Sequence, residues 1–407
     1  VDTVIPLEVT LAGIAIVLAL LLKHAFIRLR IPSLIGFMAL GLLIRIGGME
    51  AKVLSEPVLG IFEFLGNIGL IVLLFQVGLH SNLAGLRKQL RHASFIWLGN
   101  VLFSGGLGYV AASYGLKLGL IPSLFLATAL TATSVGVSIA AWQEARSLDS
   151  VNGYLLIDVA EMDDISSILL LSLLLAVLPV LKGAEKLPLS LVAAETTVLL
   201  LVKIGLFGAF CLLFSRYAEE RLMSFFSRMR PAPDPMLLVA GTGLVIAGAA
   251  GWLGFSVAVG ALFAGLVFSR DPRSIRDETA YGALFEFFTP FFFIDIGLRV
   301  DHASISSAAQ LGLVLLLVAI IGKIIGTGLP TLLVSGWTSS VLVSLSMIPR
   351  AEIAMVVMQQ GHKLGSWAVP PHVFSAMVLV SAASCLLTPL ALRPLLSLWP
   401  QMREDER

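Results

Sequence analysis

The sequence predicts an all-α, polytopic membrane protein of about thirteen transmembrane helices, with inverted repeats and two broken helices. Three observations support this. Hydrophobic residues make up 57% of the chain and charged residues only 13%, and the mean hydropathy is +0.96, far from the composition of a soluble domain. Apolar runs of spanning length recur along the whole chain, and a hydrocarbon core about 30 Å thick needs roughly 20 apolar residues per helix. Two of these runs are interrupted near their middles by hydroxyls with Gly or Pro, the pattern of paired discontinuous helices in an inverted-repeat transporter.

In order, the predicted spans run approximately Leu7 to Leu22, Ile31 to Ile46, Pro57 to Leu79, Ala93 to Tyr114, Leu120 to Trp142, Val151 to Val180, Leu189 to Ser215, Pro235 to Ala250, Leu253 to Phe268, Tyr281 to Leu298, Ala308 to Val334, Thr338 to Gln360 and Val373 to Leu396. The first lacks a basic, apolar, small-residue cleavage signature and is long enough to span, so it reads as a helix and not a signal peptide. Only Gly251-Trp252 divides the eighth from the ninth. The fifth is interrupted at Thr131-Ala132-Thr133-Ser134-Val135-Gly136-Val137-Ser138 and the twelfth at Ser344-Leu345-Ser346-Met347-Ile348-Pro349-Arg350-Ala351-Glu352. A broken helix frees carbonyls and amide ends for ions, which makes Thr131, Thr133 and Ser134 candidates for a cation site.

The basic residues set the orientation. With the N-terminus outside, 17 of the 27 Lys and Arg residues fall on the cytoplasmic side and 7 on the other, while Lys203, Lys323 and Arg350 lie within helices. The positive-inside rule therefore predicts an outside N-terminus and a cytoplasmic C-terminus in the cell (inner) membrane. Residues 1–407 read as one transmembrane transport domain without a soluble regulatory domain. Helices 1–3 and 8–10 would form a scaffold, helices 4–6 and 11–13 a core, and the loop Arg216 to Asp234, with Pro231 and Pro233, a hinge between two halves.

Several function classes are excluded. A net charge of +1 with no basic cluster gives no footprint for nucleic acid. Cys211 and Cys385 suit neither a disulfide framework nor a zinc site. Neither a phosphate-binding loop nor a dinucleotide fingerprint occurs, so no cofactor is expected and an ion gradient should drive the process.

The chemistry concentrates in the sixth span. Asp163 and Asp164 lie in a long apolar run, where a charge at the bilayer centre costs about 2.5 to 3.5 kcal/mol even on the lenient insertion scale. Their side chains are about 100° apart around the helix, and Glu161, Asp164 and Ser167 form a drifting polar stripe. Low dielectric favours the neutral form of a carboxyl and a nearby cation its ionised form, so a proton and a metal ion can compete for one such group. Lys323 stands too deep in the eleventh span to reach either surface and needs an anion, for which Asp163 is the candidate. That pair could break when a cation arrives or stand as a permanent salt bridge. Arg350 and Glu352 flank Pro349, where such charges compensate half-helix dipoles. Asp158, Glu161, Lys203 and Asp295 are further intramembrane charges, read first as paired or snorkelling. Gly260, Gly265 and the run Phe287 to Phe293 read as helix-packing positions.

At these residues the chain resembles the monovalent cation:proton antiporter-2 family, which includes sodium/proton and Kef-type potassium/proton antiporters. The matching elements occur in order over nearly the whole chain: Arg30-Ile31-Pro32-Ser33-Leu34-Ile35-Gly36 with Gly41, Leu74-Phe75 with Val77-Gly78-Leu79, Thr131 to Gly136, Asp163-Asp164, Gly260-Ala261 with Ala264-Gly265-Leu266, Pro290-Phe291-Phe292-Phe293 with Gly297-Leu298, and Ile348-Pro349-Arg350-Ala351-Glu352. The resemblance implies a homodimer whose core, with two crossing broken helices, moves to give alternating access. It implies that Asp164 binds the cation, sodium or potassium, or the proton, and that Asp163 pairs with Lys323 in the ion-free state. An Asp-Asp pair with a lysine implies electrogenic exchange of two protons per sodium, with lithium as a further substrate. Glu161 and Asp295 depart from the family pattern and are secondary candidates for the site. The Kef-type branch usually adds a nucleotide-binding regulatory domain, which does not follow within these residues.

The leading expectation is thus sodium(lithium)/proton antiport. Potassium/proton exchange, sodium-coupled symport of a small organic anion, and a non-transporting sensor of the same fold are the alternatives.

Overall fold

The computed structural model describes residues 4–50, 54–80, 90–148, 150–182, 189–229, 235–253, 257–269, 278–301 and 305–401. Its helices are α1 (Val4–Arg28), α2 (Ser33–Glu50), α3 (Glu56–His80), α4 (Leu90–Val110), α5 (Leu120–Thr131), α6 (Val135–Glu144), α7 (Val151–Leu181), α8 (Leu189–Leu213), α9 (Glu219–Ser227), α10 (Pro235–Trp252), α11 (Val257–Phe268), α12 (Glu278–Leu298), α13 (Ile305–Lys323), α14 (Leu329–Ser346), α15 (Glu352–Lys363) and α16 (Pro371–Leu398). Single π-turns extend α4 and α8 and join α13 to α14 at Ile324–Gly328.

Every predicted span falls on a helix or a pair of helices, and α10 and α11 are separate. Seven helical segments among the described residues are long and apolar enough to cross a bilayer. Two predicted spans share a single segment, Ser306–Ser346. It turns at Gly336, whose φ of 83° lies in the left-handed region that side-chain-bearing residues avoid. The expected hinge loop differs from the prediction. Phe214–Ala218 and Glu219–Ser227 are helical, because Glu, Arg, Leu and Met are good helix formers and the first proline comes only at 231. Pro231 and Pro233 lie outside the described residues, as do Lys52, Arg87, Lys88, Lys186, Arg230, Arg270, Arg273, Arg276, Arg403 and Arg407 of the orientation count.

The chain packs as two compact units. One comprises Val1–Leu21, Leu43–Leu83 and Ser172–Asp295. Within lipid, apolar burial removes little water, so close van der Waals contact holds helices together. Here that contact comes from glycine. A Cβ at Gly78 would strike the Leu262 carbonyl and one at Gly265 the Phe75 carbonyl, so α3 and α11 touch backbone to backbone. Gly260 lets α11 meet Ala247 and Ala250 of α10 in the same way. Phe75 packs on Phe268 with ring centroids 6.3 Å apart.

The other unit comprises Leu22–Leu42, Ala84–Leu171 and Ile296–Arg407. Trp142 of α6 is fully buried among Ile96 of α4, Leu156 and Val159 of α7, Leu342 and Met347 of α14 and its end, and Leu392 of α16. Its indole Nε1 donates to Ser346 Oγ at 2.9 Å, and Ser138 Oγ donates to the Ser346 carbonyl at 2.6 Å. α4 and the π-turn after Lys323 also approach closely. A Cβ on Gly99 would come within 2.6 Å of the Gly326 carbonyl and of the Pro330 ring. This contact fixes the depth at which Lys323 faces α4.

Gly99→Ala should therefore lower the melting temperature of the purified protein by an amount equivalent to about 1 to 3 kcal/mol, the usual penalty for overpacking. Gly106→Ala on the same helix, where a new Cβ meets nothing within 4 Å, should be neutral or slightly stabilising. Differential scanning fluorimetry of the two variants checks the contrast.

Candidate functional site

Both interruptions belong to the second unit. After Thr131 the chain leaves the helix at Ala132, with φ −59° and ψ 152°, and re-enters at Val135. Thr131 Oγ1 accompanies the exit by bonding the Thr128 carbonyl at 2.7 Å, the local competition that hydroxyl residues offer to helix continuation. At the second interruption Pro349 lacks an amide donor and disfavours helical geometry at Ile348, so α14 ends at Ser346 and α15 begins at Glu352. The Ser134 amide donates to the Pro349 carbonyl at 2.9 Å, joining the two breaks through their main chains.

Four half-helix ends therefore meet, and charges of the complementary sign lie at them. Helix C-termini carry partial negative charge and N-termini partial positive charge. Arg350 Nη1 donates to the carbonyls of Ala132 at 2.5 Å, Met347 at 3.1 Å and Pro349 at 3.4 Å, at the ends of α5 and α14. Glu352 occupies the first turn of α15 and accepts a hydrogen bond from Ser134, the residue that opens α6.

Asp163 is fully buried and hydrogen-bonded through both oxygens. Its Oδ1 accepts from Asn100 Nδ2 at 2.5 Å, and its Oδ2 accepts from Thr133 Oγ1 at 2.6 Å and from Lys323 Nζ at 2.8 Å. Lys323, also fully buried, donates in addition to Thr133 Oγ1 at 2.7 Å and to the Thr131 carbonyl at 2.9 Å. An ammonium has three protons, and all three are accepted. A buried ion pair repays its desolvation only when its remaining donors and acceptors are satisfied, and here they are.

Asp164 differs. It is half-buried, and its Oδ1 is inaccessible to solvent and has no hydrogen-bond partner among the described residues. The charges acting on it include Asp163, Glu352 and Glu161, of like sign, and Lys323, of opposite sign. An anionic oxygen with no donor is costly to bury, and a proton or a monovalent cation would satisfy it. Both oxygens of the neighbouring acid already accept hydrogen bonds.

The other sequence candidates are dispersed. Three-residue steps drift around the helix, and four residues on from Asp163 Ser167 returns to that acid's face, where its Oγ lies 3.1 Å from Thr131 Oγ1. Glu161 is half-buried on α7. Asp295 belongs to the first unit, buried where a Cβ on Gly66 would come within 2.9 Å of it. Lys203 donates to the Leu253 carbonyl at 3.3 Å on an exposed face. Asp158 is buried on α7.

Two participants escaped the sequence reading. Asn100 is the amide on Asp163, and its isolation in an apolar span was a signal that could have found it. Ser384 Oγ accepts from the Arg350 amide at 3.0 Å, a contact no local pattern announces.

The chain was then compared with known proteins. Residues 13–398 match the family described as sodium/hydrogen exchanger, transmembrane. The chain is 28% identical over 373 residues to a Na(+)/H(+) antiporter of Enterococcus hirae, covering 91% of this chain and 93% of that protein. It is 26% identical over 340 residues to the high-affinity Na(+)/H(+) antiporter NhaS3 of Synechocystis, covering 82% and 71%. Its fold is similar to that of the sodium proton antiporter MjNhaP1 from Methanocaldococcus jannaschii at pH 8, with a TM-score of 0.71 and 17% identity over 97% of this chain and 98% of that one. With a match that runs nearly end to end over a helical fold of the same kind, the chain belongs to the sodium/hydrogen exchanger family of membrane transporters.

Proposed function

We propose that this protein is a secondary-active monovalent cation/proton antiporter, with sodium and lithium as its principal cations and protons as the exchanged species. One observation carries the reading: beside a hydrogen-bonded Asp163–Lys323 pair, Asp164 keeps a buried carboxylate oxygen without a partner among the described residues. A single site that takes either a proton or a cation, but not both, couples their movements in opposite directions. The names of the Enterococcus and Synechocystis relatives support sodium. Potassium is a weaker substrate in this reading.

Asp163 and Lys323 add a second charge to the cycle. When a cation neutralises the acids, the lysine loses the anion that stabilises its charged form and can release its proton. Two protons would then move per sodium, making exchange electrogenic. Thr131, Thr133 and Ser134 shape the break beside the site, while Arg350 and Glu352 hold the half-helix ends. Glu161 and Asp295 remain secondary acids. In this reading a scaffold of helices 1–3 and 8–10 in the thirteen-span count carries a core of helices 4–6 and 11–13 that moves in an elevator-like manner; the division into two compact units agrees for helices 4–6 and 11–13 but groups most of helix 2 with them. The charge asymmetry of the loops supports an outside N-terminus in the cell membrane, and the protein acts as a homodimer in this reading. Within the described chain the reading needs no regulatory domain.

In proteoliposomes with an imposed pH gradient, sodium should drive proton movement, and Asp164→Asn should abolish it; undiminished exchange in that variant refutes the assignment. Lys323→Gln should retain exchange but lose net charge movement, read as loss of the response to an imposed membrane potential. Persistent electrogenicity would make the ion pair a static strut.

A further inference from the structure

Asp163 sits one residue from the acid proposed to hold the cation, and both its oxygens already accept hydrogen bonds. Lys323 and Thr133 fill Oδ2, but Oδ1 is occupied only by Asn100 Nδ2, at 2.5 Å. Asn100 is itself fully buried and its amide is oriented from behind, since Ser104 Oγ donates to Asn100 Oδ1 at 3.0 Å. That leaves the NH₂ as the end facing the carboxylate, the only pairing that satisfies both groups. The backbone holds the amide in place as firmly as the hydrogen bonds do. A Cβ on Gly326 would meet the Asn100 Cα at 3.0 Å, and one on Gly322 the Ser104 Cα at 3.2 Å, so this face of α4 lies directly against the chain around Lys323.

We propose that Asn100 is a positioning residue that sets the cation preference of the site by capping Asp163 Oδ1, so that Asp164 alone supplies the anionic ligand. This inference rests on the antiport reading above. Removing the cap exposes a second anionic oxygen next to Asp164. Coulomb attraction grows as the ion approaches its ligand, and two anionic oxygens favour the smaller cation over the larger. Asn100 thus holds the site at the field of one carboxylate and lessens its preference for lithium over sodium. Ser104 acts through Asn100 by fixing which end of the amide faces Asp163.

The test compares Asn100→Leu, Ser104→Ala and the unmodified protein in two measurements. The first is the apparent KM for lithium and for sodium in pH-gradient proteoliposomes. The second is the thermal stabilisation of the purified protein by each cation alone, which requires no transport. Lithium affinity relative to sodium should rise about tenfold in Asn100→Leu, the scale of a lost hydrogen bond to a charged group, and about threefold in Ser104→Ala. A purely structural asparagine would weaken both cations equally, and an unchanged ratio in both variants overturns the inference. If Asn100→Leu does not fold, the Ser104→Ala ratio decides. If the unmodified protein moves no cations, the antiport reading fails on the first measurement while the binding ratios still decide the role of Asn100.

Discussion

A charge placed in hydrocarbon must be matched by charge or hydrogen bonds from the same protein, because water is not there to do it. In this molecule that constraint fixes the arrangement around Asp163. One carboxylate takes three donors, among them the single amide of an apolar helix, and one ammonium gives three protons, whose acceptors come from a broken helix and the acid itself. Once this cluster is closed, the position of Lys323 requires the close approach of α4 to the π-turn, and that approach requires Gly99 and Gly326. Packing and electrostatics are therefore one constraint seen at two scales.

The same accounting separates two adjacent residues of identical type. Asp163 is enclosed by partners, and Asp164 retains an inaccessible oxygen without one. Sequence neighbours on a helix diverge by about 100°, enough to place one acid inside a network and the other beside it. A site that alternates between occupants needs this asymmetry, because a carboxylate already saturated by fixed donors has little to gain from an ion.

Much of this was legible in the chain. The apolar runs located the helices, the hydroxyls with glycine or proline located both interruptions, and the depth of Lys323 required an anion nearby. The drifting polar stripe ends at Ser167, whose hydroxyl lies beside Thr131 of the first break. The loop after residue 215 held a helix that loop composition concealed. Asn100 and Ser384 were missed because their partners lie 63 and 34 residues away. Helix crossing makes such contacts, and local periodicity carries no information about them.

The hydrogen bond from the Ser134 amide to the Pro349 carbonyl has a consequence for how such a protein can diversify. It is made entirely of main-chain atoms, so the side chains that surround it can change while the bond itself stays. Side chains around the crossing can thus be exchanged over evolutionary time, altering the ion that is favoured, while the scaffold that presents them is inherited unchanged. Novelty in substrate is separated from risk to architecture.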